Sequence, residues 1–89
     1  MSRDEMVMEV LADSGIHLPE VYITELLDIA EKLRVPARYD CVRNFVAGYL
    51  VIRELMSRSA ADRLASSARG RRLWEKKIRT LLAGDKDGK

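Results

Sequence analysis

The stretch from Cys41 to Ile52 constrains this chain more than any other feature. It is apolar except for Arg43, Asn44 and Gly48. Wound into a helix, Phe45, Val46, Tyr49, Leu50, Val51 and Ile52 cover most of the circumference. A helix that is apolar nearly all round has to be buried nearly all round. The chain has only 89 residues to do that. Either this helix is the central element of a bundle, or one of its faces awaits another chain. The second option makes Phe45, Tyr49 and Ile52, with Trp74 further on, candidates for an oligomer or partner interface. The usual supports of a small domain are missing. One cysteine, Cys41, excludes an internal disulfide, and one histidine, His17, leaves no metal cluster. A domain of this size buries about 60–65% of its unfolded surface, so its margin without a neighbour is thin.

The rest of the chain reads as helices flanking that one. Ser2-Arg3-Asp4-Glu5 has the form of a capping box, and Met6, Val7, Val10 and Leu11 follow at helical spacing. Gly15 suits a left-handed end cap, which places helix 1 at about 2–13. Pro19 fits the first position of a second helix, whose stripe is Ile23, Leu26, Leu27, Ala30 and Leu33. Pro36 stops it, giving about 19–33. The apolar helix is expected over about 37–58. A cap signal at Ser59 opens a fourth, over about 60–83, carrying Leu64, Trp74, Ile78 and Leu81. Gly70 inside it marks a soft point or a division into two helices. No alternating run supports a strand. The expectation is an all-α bundle of four helices, one domain over 1–84, with a polar tail at 85–89.

The net charge of +2 conceals a segregation. Residues 1–33 hold eight acids and two bases, a charge of −6, whereas residues 34–83 hold twelve bases and four acids, a charge of +8. The acidic part offers Glu9, Asp13, Glu20, Glu25 and Asp28. The basic part peaks at Arg69, Arg71, Arg72, Lys76, Lys77 and Arg79, with Glu75 the only acid among them. Positions 69, 72, 76 and 79 share a helical face. Such a stripe is either solvated, a footprint for phosphate, or a surface for an acidic partner. Complementary ends on one chain also suit head-to-tail association, which closes into rings.

Catalytic chemistry has little to stand on. His17 lies in a loop without a partnered nucleophile, Cys41 reads as a small hydrophobe, and no glycine-rich loop is present to cradle phosphate. No enzyme activity, cofactor or metal is expected, and no small-molecule partner. No run of 18 apolar residues exists, and the charged start lacks a signal core, so neither membrane insertion nor secretion is expected. The free cysteine fits a reducing compartment, and the expected location is the cytoplasm or a virion.

Two resemblances add to this. Leu27-Asp28-Ile29-Ala30-Glu31-Lys32-Leu33-Arg34-Val35-Pro36 resembles the first helix and turn of a helix-turn-helix. Ala30 stands for the small residue at the helix crossing, and Leu33 and Val35 for core positions. Arg34 occupies the place of the turn glycine. The second helix of that family needs apolar residues where this chain has Asp40 and Arg43; Val42 and Phe45 have the right mutual spacing, two residues later. This resemblance implies a small DNA-binding regulator. Residues 35 to 85 are similar to small tailed-phage head–tail connector (head-completion adaptor) proteins. The similarity rests on Val35-Pro36-Ala37, on the helix from Val42 to Met56 with its Arg53, and on the last helix ending Leu81-Leu82-Ala83-Gly84-Asp85. It implies a non-enzymatic homo-oligomer, a ring joining portal to tail with DNA passing through and other virion proteins as partners. A helical subunit of a heteromeric complex is the third reading.

Overall fold

The computed structural model describes residues 1–87, with side chains through residue 84. It contains five helices: α1 (Arg3–Asp13), α2 (Glu20–Lys32), α3 (Tyr39–Ile52), α4 (Arg58–Leu64) and α5 (Ala68–Asp87). No strand occurs among the described residues. The all-α expectation holds, but the count of four does not. The expected third helix ends six residues early, because the chain turns after Ile52. Ser57, not Ser59, caps the next helix by accepting from the Ala60 N–H at 3.1 Å. The expected fourth helix divides after Leu64, where Ala65 is extended. Ser67 then caps α5 by accepting from the Gly70 N–H at 3.0 Å. The division falls before Gly70, not at it. α5 continues past Gly84 to Asp87, through the expected tail; residues 88–89 lie outside the described residues.

Helices α1, α2 and α3 stop in the same way. Each has a left-handed residue just past its end: Gly15 (φ 66°), Arg34 (φ 54°) and Glu54 (φ 59°). In each, two N–H groups fold back onto the last turn. Gly15 donates to Ala12 and Ile16 to Leu11; Arg34 to Glu31 and Val35 to Ala30; Glu54 to Val51 and Leu55 to Leu50. These are Schellman motifs, which satisfy otherwise unpaired carbonyls. The start of α1 carries the full capping box, Ser2 with Glu5.

α3 is the central element. Every residue from Phe45 to Leu50 is buried, with Val42 one turn earlier. α1 covers it with Val7, Val10 and Leu11, α2 with Leu26, Ile29 and Ala30, α4 with Ala61 and Leu64, and α5 with Trp74 and Ile78. Four helices thus enclose the central one. The radius of gyration is 12.0 Å, which matches the roughly 12 Å expected of a compact chain of this length.

Two glycines mark close approaches. A Cβ on Gly48 would meet the Arg71 carbonyl oxygen at 3.1 Å and the Glu75 nitrogen at 3.2 Å, so α5 crosses α3 with its backbone against Gly48. A Cβ on Gly70 would lie 2.3 Å from Asn44 Nδ2. That Asn44 fastens the α4–α5 connection: its Oδ1 accepts from the Ser66 N–H at 2.8 Å and the Ser67 N–H at 3.1 Å. Arg43 beside it donates to the carbonyls of Leu64 (2.9 Å) and Ala65 (3.1 Å), closing the end of α4. The two polar residues that interrupt the apolar helix therefore serve contacts within the chain.

Candidate functional site

α5 sorts its charged residues onto two faces. Its inner face is Arg71, Trp74, Glu75 and Ile78, at steps of three and four, all buried. Arg71 is 3% exposed and Glu75 4%. Arg71 donates from Nε to Asp62 Oδ1 at 2.8 Å and from Nη1 to Glu75 Oε2. Arg71 is therefore corrected out of the expected basic face: it lies on the packed side and its charge is spent on two carboxylates. The outer face keeps Arg69, Arg72, Lys76, Lys77 and Arg79, all exposed. Leu73 stands among them at 54% exposure. A shallow apolar surface runs from Leu73 to Leu33 and Leu81, bordered by Lys76, Lys77 and Thr80. Lys77 Nζ also lies 5.1 Å from the centroid of the Trp74 ring, a cation–π contact.

The expected interface residues need the same correction. Phe45 and Tyr49 are wholly buried inside the chain, Trp74 is 8% exposed, and Ile52 is half-buried. Trp74 packs edge-on to Phe45, with ring centroids 5.7 Å apart and planes at 83°. The apolar surplus of α3 is absorbed by its own chain, mainly because α5 lies along it. The large exposed apolar residues among those described are elsewhere: Met1 at 72%, Val21 at 70%, Leu73 at 54%, Met8 at 42%, Leu55 at 40% and Tyr39 at 39%.

The acidic residues divide between surface and internal duty. Glu9 and Glu20 are exposed. Asp28 pairs with Lys32 at 3.2 Å on the surface of α2. Asp13 accepts from the Tyr39 hydroxyl at 2.5 Å, which holds the Tyr39 pKa above its usual value. Glu25 is a hub. It accepts from the Tyr49 hydroxyl (2.7 Å) and Arg53 Nε (2.9 Å), and it pairs with Arg53 Nη2. The Arg53 hydrogen bond holds its carboxyl below the usual range. Burial, with Glu25 as second cause, raises the Tyr49 pKa. Arg53 thereby ties the end of α3 to α2, a role that sequence patterning has no means to show.

Other sequence candidates are placed quietly. His17 is exposed, and Cys41 is half-buried with Arg38 Nη2 3.0 Å from its sulfur. No group of three or more His, Cys, Asp or Glu among the described residues is arranged to hold a metal ion. No described helix is long and apolar enough to cross a membrane. The helix-turn-helix resemblance meets a mixed outcome. Arg34 does take the left-handed conformation of the turn glycine, and Val42 and Phe45 are buried in place of Asp40 and Arg43. The following helix, however, is the buried α3, which lacks the polar outer face a base-reading helix needs. A comparison with protein-family models, curated proteins and solved structures finds no match.

Proposed function

We propose that the protein is a non-enzymatic assembly subunit that associates with copies of itself, most concretely in the manner of a phage head–tail connector. One observation carries this: two exposed apolar residues, each set in a face of opposite charge. Leu73 is ringed by Arg69, Arg72, Lys76 and Lys77 on α5. Val21 sits at the start of α2 beside a stripe formed by Glu20, Thr24, Asp28 and Glu31. The basic patch borders Leu33 at the far end of α2, about 18 Å along the helix from Val21. The patches are therefore distinct and not self-complementary. Such surfaces join head to tail, which gives rings or filaments. Charge complementarity orients the encounter, and the apolar residues supply the buried centre. The connector reading rests on the resemblance over residues 35–85.

Sedimentation of the purified protein tests the reading. Association that rises with concentration is expected. Val21→Asp and Leu73→Asp should each reduce it, and a mixture of the two variants should form a one-to-one pair through the single intact interface. A wild-type chain that stays monomeric at high concentration overturns the reading. Sequence-dependent binding of duplex DNA, abolished by alanine at Arg72, Lys76 and Lys77, would replace it with a regulator.

A further inference from the structure

We propose that the concavity between α4 and α5 is a binding site for a phosphate-class oxyanion, held by Arg58, Arg72 and Arg79. It goes beyond the assembly reading and does not require it. The concavity measures about 450 Å³ and is lined by Arg58, Asp62, Arg71, Arg72, Glu75 and Arg79. Four guanidiniums therefore face two carboxylates. Arg71, buried at its floor, occupies both of them. Arg79 approaches the remaining Glu75 oxygen only to 3.6 Å and is 56% exposed. Arg58 and Arg72 are exposed and have no carboxylate within salt-bridge distance among the described residues. Among the residues that line this concavity, positive charges thus outnumber negative ones by two.

The arrangement is supported from below. Glu75 is locked by Arg71, and its second oxygen steers Arg79 toward the concavity. Arg72 and Arg79 lie seven positions apart on one helix, about 10.5 Å. Arg58 reaches the same space from α4, and with Arg79 it also borders the neighbouring concavity of Ile52, Glu54, Leu55 and Met56. Three forks round one space fit a tetrahedral anion with three or more acceptor oxygens and two charges. A carboxylate would be satisfied by a single fork. A free phosphate compound with a terminal phosphate meets that description in full; a nucleic-acid backbone phosphate, with one charge and two non-bridging oxygens, would engage fewer of the forks.

The experiment is a titration of pyrophosphate at about 0.15 M salt, where the Debye length is about 8 Å, followed on the arginine Nε–Hε resonances by NMR. The Arg58, Arg72 and Arg79 signals should move together with one affinity. Arg58→Gln and Arg79→Gln together should weaken binding at least about tenfold, the scale of a lost charge-assisted hydrogen bond. Arg69→Gln makes the same charge change on the same helix outside the concavity, and should alter affinity less than about twofold, as a screened charge does. These arginines are exposed, so circular dichroism should show an unchanged fold. A second arm uses a short DNA duplex. A backbone source predicts binding whose salt dependence flattens by about 0.9 in log–log slope for each phosphate contact removed. Binding of pyrophosphate alone assigns the site to a free anion. No movement of the three signals with either probe, or an equal loss in Arg69→Gln, overturns the proposal.

Discussion

Glu54 shows what a single residue can cost here. It takes φ 59° to end α3, a conformation that crowds any Cβ. Left-handed backbone is unfavourable by roughly 1–2 kcal/mol for an ordinary residue. Glu54 is exposed. Glu54→Gly is therefore expected to stabilise the fold by about 1 kcal/mol, raising the thermal midpoint by about 4–8 °C, as calorimetry would show. Gly70 presents the reverse case. Helix propensity alone favours Gly70→Ala by about 1 kcal/mol. The new Cβ would collide with Asn44, which is pinned by two backbone N–H groups. Ser67 Oγ, 3.0 Å from the same Cβ, stays in place when Asn44 is removed. Gly70→Ala should therefore lower stability in the native chain, and by less in an Asn44→Ala background, a coupling that urea titration of the four variants would reveal. Glu25 supplies the pH dependence. Its folded pKa is lowered from the ordinary 4.5 by Arg53. Its contribution is full above that ordinary value and is lost as pH falls through the folded one. The stability difference between the native chain and Glu25→Gln should therefore shrink on acidification below about pH 4.5. A constant difference from neutrality to acid would contradict the assignment.

At the scale of elements, α5 decides most of the architecture. It lies along α3 through Gly48, and its inner face mixes Trp74 and Ile78 with a buried ion pair. Removing one member of such a pair costs about 3–5 kcal/mol, because the other charge stays buried; replacing both by apolar residues is often neutral. Arg71→Met alone should thus be severely destabilising, and Arg71→Met with Glu75→Leu should recover most of the loss in urea unfolding. An equal penalty in both would mean that Arg71 acts mainly through Asp62. Much of the helix content was legible: the capping box at Ser2 and the left-handed Gly15 appear where local chemistry predicts them, and Pro19 opens α2 from one place earlier than expected, as its extended N-cap. The end of α2 near Leu33 was legible too, from Pro36, but the end of α3 was not. Glu54 carries no local signal for a left-handed turn; the fold-back of Leu55 onto α3 imposes it. The break at 65–67 was hidden for the same reason, since it depends on Asn44 and Arg43, more than twenty residues away.

For the whole molecule, the closed core has a consequence. Phe45 and Tyr49 are covered by the chain itself, so association is not needed to complete the fold. Leu73→Asp, which should prevent assembly, is expected to leave helical circular dichroism and cooperative unfolding intact in the monomer. A variant that loses its helices would show that the subunit is finished only by its neighbours. The sequence by itself determined the all-helical class and the opposition of acidic and basic halves, because periodicity, capping and charge order are local properties; it left α3 either central to its own bundle or open to another chain. Tertiary structure decided which side of each helix those charges occupy. It moved Arg71 inside, turned Glu25 into an internal hub, and left Leu73 exposed among cations. The reason is geometric: a run of bases on a helix visits every face, and only the packing of α5 against Gly48 of α3 selects which of them meet water.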